Sequence, residues 1–293
     1  MSSTDTLEAA PRIVARPRVA APTRRRRRPW VAGIVLTLGA VLTAFPFAWM
    51  IISAVKPRSD SLAYPPHLLP SHVTLQYFTQ LLRQLDFGRY LVNTLAVVLI
   101  SMVGLLVMAM AGYGFAKFSF RGKEPIFFLV LTTMMIPVQV TMIPTYLILN
   151  GIGLTNTLVG IALPTLVSAF GVFLFRQFMT TIPTEVIEAA RIDGAGEARI
   201  FGQIVLPMSR PILAVQVVLT FITGWNSFLW PLIIASDQGL YTLSVGIALL
   251  NQQVATNPSL QMAAAALMVV PVLVVFVIFQ RHIVQGFALS GLK

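Results

Sequence analysis

Six runs of about twenty residues, none containing an Asp, Glu, Lys, Arg or His, leave this chain few ways to fold. They cover about Trp30 to Val55, Leu91 to Phe115, Pro125 to Leu149, Thr157 to Phe175, Ile212 to Ala235 and Gln261 to Gln280. Each is close to the roughly 20 apolar residues that a helix needs to cross the hydrocarbon of a bilayer. A chain that is 56% hydrophobic and 11% charged, with a mean hydropathy of +0.81, is too apolar for a soluble domain. The expected fold is an all-α integral membrane protein with six transmembrane helices. The first run is too long for the apolar part of a secretory signal and lacks a small-residue cleavage site, so it counts as a span. In the second, Gly112 and Ala116 are spaced to let helices approach closely. Pro137 and Pro144 interrupt the third.

The basic residues give an orientation. The net charge is +11, but eight of the 21 Lys and Arg sit in the first 28 residues, at Arg12, Arg16, Arg18 and Arg24 to Arg28. Residues 1–29 are otherwise rich in Ala, Pro and Ser without apolar periodicity. They read as a disordered basic tail lying against anionic membrane lipids, with no nucleic acid as partner. With the tail in the cytoplasm, 17 basic residues fall inside and four, Lys56, Arg58, Arg83 and Arg89, fall outside. Both chain ends are expected to be cytoplasmic, and so is the loop before the fifth run. Leu75, Phe78, Leu81, Leu82 and Leu85 share one helical face and predict a short helix lying at the membrane interface.

Several chemistries are excluded. There is no cysteine, hence no disulfide, thiolate metal site or cysteine nucleophile. His67, His72 and His282 lie in loops without H-E-x-x-H spacing, so no metal site is expected. No G-x-x-x-x-G-K-[ST] sequence occurs, so the chain has no phosphate-cradling loop and no bound ATP or Mg of its own. An ion-coupled secondary transporter is the alternative reading. It requires ionisable groups at depth, each costing about 2.5–3.5 kcal/mol on the insertion scale, and the six runs hold none. A membrane enzyme needs a His, Asp or Glu cluster at the interface. The dense charged cluster after the first ninety residues lies instead between the fourth and fifth runs. A transporter without ion-coupling groups or an ATP site takes its energy from a partner, and this chain itself is non-catalytic on that reading.

That cluster, Glu188 to Pro207, predicts two short helices broken at a glycine turn. Thr184 after Pro183 is a candidate N-cap, Glu185 and Glu188 suit the positive helix end, and Gly194 and Gly196 can take the positive φ that ends it. A second helix runs from about Glu197 until Pro207 and Pro211 reset the backbone. By composition alone this is a solvated loop helix with Glu188 paired to Arg191. A second candidate site lies in the fifth run, where Gln216, Thr220, Thr223, Ser227 and Trp230 recur every three or four residues and share a helical face. Such a polar stripe faces either a translocation path or a neighbouring helix to which it hydrogen-bonds. Trp225 and Asn226 lie off the stripe.

The loop also carries a spaced pattern: Glu188-Ala189-Ala190, three residues, Gly194, nine residues, then Ile204-x-Leu206-Pro207. It resembles the EAA motif in the cytoplasmic loop of permease subunits of binding-protein-dependent ABC importers. The likeness extends from about residue 45 onward and is nearest to sugar-importing permeases of the MalG type. GYGFAKFSFRGK (112–123), FLFRQFMTTIPTEVIEAARIDGAGE (173–197), WNSFLWPL (225–232) and FQRHIVQGFALSGLK (279–293) carry it. Ser227 stands where an acidic residue often follows the Trp-Asn pair. The resemblance implies a type I ABC importer transmembrane domain over 30–283, with coupling helices at about 185–206 and a cytoplasmic tail over 284–293. It implies that Glu188, Ala189, Ala190, Arg191, Asp193, Gly194, Ile204, Leu206 and Pro207 serve ATPase coupling. It further implies a second permease subunit, a cytoplasmic ATPase dimer that binds ATP and Mg, and an extracytoplasmic solute-binding protein. The loop at about 236–259 is expected to meet that protein. The expected location is the bacterial cytoplasmic membrane, and the solute a sugar, an oligosaccharide or glycerol phosphate.

Overall fold

Prolines break only some of the apolar runs: against expectation, the third run breaks at Pro137 but not at Pro144, which lies inside a helix as Pro46 and Pro271 do. The computed structural model describes residues 29–65, 67–84, 86–253 and 257–290, with the side chains of all of these except 29, 84, 251–253 and 281–290. The expectations for the N-terminal tail and for Leu85 fall outside the described residues. The described residues form helices and connections without a strand. The chain divides into two compact units, Met1–Phe47 and Ala48–Lys293, and the core described below belongs to the second.

In chain order, α1 (Pro29–Ala54) covers the first run, followed by a single turn, α2 (Arg58–Ser61), and by α3 (Gln76–Gln84). The helix α4 (Phe87–Lys117) is continuous for 31 residues. Then come α5 (Lys123–Thr133) and α6 (Val138–Gly151), set at 100° across a break that ends at Pro137. The fourth run divides into α7 (Leu158–Ala162), extended by a 3-10 turn to Thr165, and α8 (Ala169–Thr180), bent by 46°. The charged loop forms α9 (Thr184–Ile192), α10 (Glu197–Ile200), a π turn over Phe201–Val205 and α11 (Leu206–Met208). It leads into α12 (Arg210–Trp225), α13 (Leu229–Ile234), α14 (Leu243–Gln253) and α15 (Pro258–Ser290).

Among the described residues, three helical segments, Trp30–Ala54, Phe87–Lys117 and Pro258–Gln280, are each long and apolar enough to cross a membrane alone. Three bent pairs pass the same test together, which gives six spans if each pair is one. The fifth run departs from expectation. It is not one helix from 212 to 235: α12 stops at Trp225, and α13 begins only at Leu229. Pro231 is the physical reason, since a proline removes one backbone hydrogen bond and its ring clashes with the carbonyl four residues back, here that of Ser227. With 16 residues, α12 is about 24 Å long at 1.5 Å per residue.

The core is organised on α4, which packs against α3, α7, α8, α12 and α14. Its seam with α8 and with the segment just before α8 is very close. A Cβ on Gly104 would lie 1.5 Å from the Leu166 carbonyl oxygen, and one on Gly112 would lie 2.4 Å from the Phe175 Cβ. Trp225 anchors the other side. Its indole Nε1 donates to the Met268 carbonyl at 2.9 Å, and its own carbonyl accepts from Ser244 Oγ at 2.8 Å.

Two further segments pack on this core. The face of α3 that is buried carries Tyr77 and Leu81, packed with α4 and α15, while Leu75 and Leu82 are exposed. One side of this helix packs on helical protein surface, and Leu82 on the other side stays outward. The connection at 236–259 is not all loop either. Much of the first half of α14 is buried; Leu243 N donates to Thr94 Oγ1 at 2.8 Å, and Asn93 Nδ2 donates to the Gly239 and Tyr241 carbonyls.

The buried charged residues among those described, Lys56 and Asp60, lie in the connection after α1. Lys56 Nζ donates to the His67 carbonyl at 2.6 Å and stands 4.2 Å from the centre of the Trp49 ring. Asp60 Oδ2 accepts from Ser71 N at 2.6 Å, the main cause that holds its carboxyl below the usual value. The hydroxyls of Ser61 and Ser259 meet at 2.7 Å, which ties this connection to the start of α15.

The seam yields a contrast within one helix. Gly104→Ala and Gly112→Ala should each destabilise the protein by about 1–3 kcal/mol or more, the usual cost of overpacking. Gly114→Ala, where an added Cβ meets nothing within 4 Å, should be neutral or slightly stabilising. Thermal denaturation of detergent-purified protein, followed by monodisperse yield, checks all three.

Candidate functional site

The charged loop is built as two faces. Ile187 and Ala190, three residues apart on α9, are buried with Ile200 and Val205 against Phe175, Met179 and Ile182. The opposite face leaves Glu188, Ala189, Asp193 and Ile192 exposed, Ile192 at 86%.

The turn between α9 and α10 depends on Gly194. Its φ is +81°, its N–H donates to the Arg191 carbonyl at 3.0 Å, and Ala195 N donates to the Ala190 carbonyl at 3.0 Å. This is a left-handed helix stop, the conformation that glycine adopts without a Cβ penalty. Gly196 differs from expectation: at φ −71° and ψ 157° it is extended and begins α10. Thr184 is the first helical residue rather than the cap, because Pro183 occupies the capping position. Pro207 does not end the second helix. A π turn over Phe201–Val205 absorbs it, and the helical path turns only at Ser209, between segments set at 79°.

The ion pair also differs. Arg191 pairs with Glu197 rather than Glu188, Nε to Oε1 at 2.7 Å, across the Gly194 turn. Glu197 Oε2 accepts a second hydrogen bond, from Tyr113 Oη at 3.0 Å. Glu197 therefore joins α9, α10 and the end of α4 in one contact. The Arg191 hydrogen bond is the main cause that holds the Glu197 carboxyl below its ordinary value. The Tyr113 ring meets Phe118 edge-on at 5.2 Å and lies 5.6 Å from Phe201. Tyr113 is the residue sequence reasoning missed. It stands 84 residues from Glu197, and no local spacing links the two.

Of the nine loop residues singled out, Glu188, Ala189, Arg191 and Asp193 are exposed and Gly194 shapes the turn. Ala190 is buried, and Ile204, Leu206 and Pro207 are half-buried parts of the helical run into α12.

The polar stripe divides. Gln216, Thr220 and Thr223 lie on α12 and line a cavity of about 230 Å³. Ser101 of α4, Thr165 and Ser168 complete its polar wall, with Met108 and Phe170 beside them. Ser227 falls in the break after α12 and does not line the cavity. Trp230 belongs to α13 and is buried in packing, its Nε1 donating to the Ile161 carbonyl at 3.1 Å. The hydroxyls of Thr220 and Thr223 form no hydrogen bond to another helix among the described residues, and Gln216 Nε2 is buried without a partner among them.

Fold and loop together define a polytopic helical membrane protein with a structured, surface-presented loop before its fifth apolar run. The family described as binding-protein-dependent transport system inner membrane component matches residues 104–288. The arabinooligosaccharides transport system permease protein AraQ of Halalkalibacterium halodurans is 32% identical over 271 residues, covering 90% of this chain and 96% of that protein. The sn-glycerol-3-phosphate transport system permease protein UgpE of Agrobacterium fabrum is 34% identical over 266 residues, covering 87% and 94%. Among solved structures, a chain of a bacterial ABC transporter involved in the import of the acidic polysaccharide alginate superposes with a TM-score of 0.76 at 21% identity, covering 87% of this chain and 96% of that one. A chain of the MetNI methionine ABC transporter in an inward-facing conformation gives a TM-score of 0.53 at 20% identity, over 73% and 99%. The chain belongs to the family of inner membrane components of binding-protein-dependent transport systems: it is a membrane-integral transport component.

Two variants isolate the Glu197 contact. Tyr113→Phe removes one hydrogen bond, worth about 1 kcal/mol, and Glu197→Gln removes the charge shared by both partners. Each should raise hydrogen exchange over residues 190–200 while leaving α8 protected. Acid should act in the same direction. Because the folded Glu197 carboxyl titrates below its ordinary 4.5, its contribution is complete above that pH and is lost as pH falls through the lowered value. Exchange corrected for intrinsic rates should therefore be flat from neutral pH down to about pH 5 and should rise only below 4.5 in the native sequence.

Proposed function

We propose that this chain is the membrane-spanning, non-catalytic permease subunit of an ATP-driven ABC importer, and that α9 and α10 are the helices that dock into its ATPase subunits. The observation that carries this reading is the two-faced loop. One face is held to α4 and α8 by Ile187, Ala190 and the Tyr113–Glu197–Arg191 contact. The other offers Glu188, Ala189, Ile192 and Asp193 outward. A surface helix without a partner has no need for such a rigid base.

The partners on this reading are a second, related permease, an ATPase dimer that binds ATP and Mg, and an extracytoplasmic solute-binding protein. This chain binds no cofactor of its own. It sits in a bacterial cytoplasmic membrane with both ends and the α9–α10 loop in the cytoplasm, as the 17-to-4 partition of basic residues favours. The transported solute is a sugar or oligosaccharide, with glycerol phosphate as the second candidate, in line with what the named relatives carry. ATP binding closes the ATPase dimer and carries the loop with it. The displacement passes through Glu197 and Tyr113 to α4, which borders the cavity at Ser101 and Met108. Opening and closing of that cavity toward either side gives alternating access. Ion coupling is disfavoured: Lys56 and Asp60, the buried charged groups among the described residues, lie outside the apolar runs.

Gly194→Val forces a β-branched residue into a left-handed turn at a cost of about 1–3 kcal/mol, and Glu188→Lys reverses a charge on the outward face. Both should insert at normal membrane levels, recover little ATPase in a pull-down and lose solute uptake. Normal ATPase recovery with normal uptake in both would leave the loop a solvated helix.

A further inference from the structure

The cavity between α4, α8 and α12 is the part of the molecule whose chemistry is least complete. Gln216 is 3% exposed, yet its Nε2 has no hydrogen-bond partner among the described residues. A buried amide left unpaired is costly unless a ligand or water meets it. Space for that amide has been kept. A Cβ on Gly171 would lie 2.9 Å from Gln216 Nε2 and 2.2 Å from Met108 Sδ, so any larger residue there would displace both. One and two turns along α12, Thr220 and Thr223 present hydroxyls to the same space. On the facing wall, Ser101 Oγ and Thr165 Oγ1 hydrogen-bond to each other at 2.7 Å, and the half-exposed Phe170 adds an apolar ring.

Every polar group in this lining is neutral. Amide and hydroxyl groups that both donate and accept, with an aromatic surface alongside, match the hydroxyls and C–H faces of a saccharide. A phosphate ester carries one to two negative charges and would be stripped of water here with no Lys, Arg or His in the lining to receive it. The N-terminus of α8 does favour an anion, but Ser168 Oγ already accepts the Gly171 N–H at 3.0 Å. We infer that this cavity is a binding step for an uncharged saccharide unit and rejects phosphorylated solutes. The inference rests on the transport reading above and separates its two solute candidates.

The test places a cysteine at Thr223, which is exposed in this chain and would be its only thiol. Membrane vesicles holding the complete permease–ATPase assembly are treated with a thiol reagent in the presence of neutral mono- to tetrasaccharides, arabino-oligosaccharides among them, or of sn-glycerol 3-phosphate and hexose phosphates. A neutral saccharide at ten times its dissociation constant should slow labelling about tenfold. Gln216→Leu in the same background should weaken that protection about five- to tenfold, the effect of one neutral hydrogen bond. Protection by the phosphates, by neither set, or by saccharides regardless of Gln216 overturns the inference. Failure of the transport reading registers separately, as assemblies in which this chain recovers no ATPase.

Discussion

Two glycines on one side of α4 set the distance on which the rest of the structure depends. At Gly104 the backbone of Leu166 occupies the space a Cβ would need, and at Gly112 the Phe175 side chain does the same. Lipid tails supply no hydrophobic drive between helices, so association in a bilayer relies on close packing of this kind. Because α4 meets α8 so tightly, α8 delivers α9 to the end of α4, where Tyr113 can reach Glu197. Because the same helix meets α12, its middle forms one wall of the polar cavity. Loop and cavity thus meet one helix, the loop at its end and the cavity at its middle.

That connection gives the breaks in the other helices a function. An uninterrupted fifth helix would have kept Ser227 and Trp230 on the stripe with Gln216. Pro231 ends that possibility, and Trp230 instead bonds to the carbonyls before α8. What remains on α12 is a short polar segment facing a space, with its ends fixed by Ser209 and Trp225. The loop shows the same economy. Pro207 is accommodated by a π turn, which keeps the path helical from α10 to Met208, one residue before the 79° turn into α12.

The sequence made the larger features legible because they follow from local periodicity. Apolar runs near the bilayer thickness predict spans, and Gly194 between two short amphipathic stretches predicts a left-handed stop, which it is. Contacts between distant residues were not legible. The acidic partner of Arg191 looked like Glu188, three residues away on the same helix, whereas the chain reversal at Gly194 brings Glu197 closer. The amphipathic pattern of α3 did not say that α4 and α15 cover Tyr77 and Leu81. The cavity was half visible. Three of the five stripe residues line it, but Ser101, Thr165 and Ser168 come from elements whose neighbours only the fold reveals.

The central claim is that the outward face of α9 touches an ATPase, and proximity crosslinking measures it directly. A single cysteine at Ile192, in an otherwise cysteine-free chain, is paired with a short bifunctional thiol reagent in membranes that contain the whole transport system. A second version carries the cysteine at Ser236, which is also exposed and which the proposed orientation puts on the far side of the membrane. The account predicts a crosslinked band between the Ile192 variant and the ATPase subunit, changing in yield when ATP and Mg are added, and none from Ser236. A crosslink from Ser236, or a persistent lack of one from Ile192 in an assembly that still contains the ATPase, would contradict it.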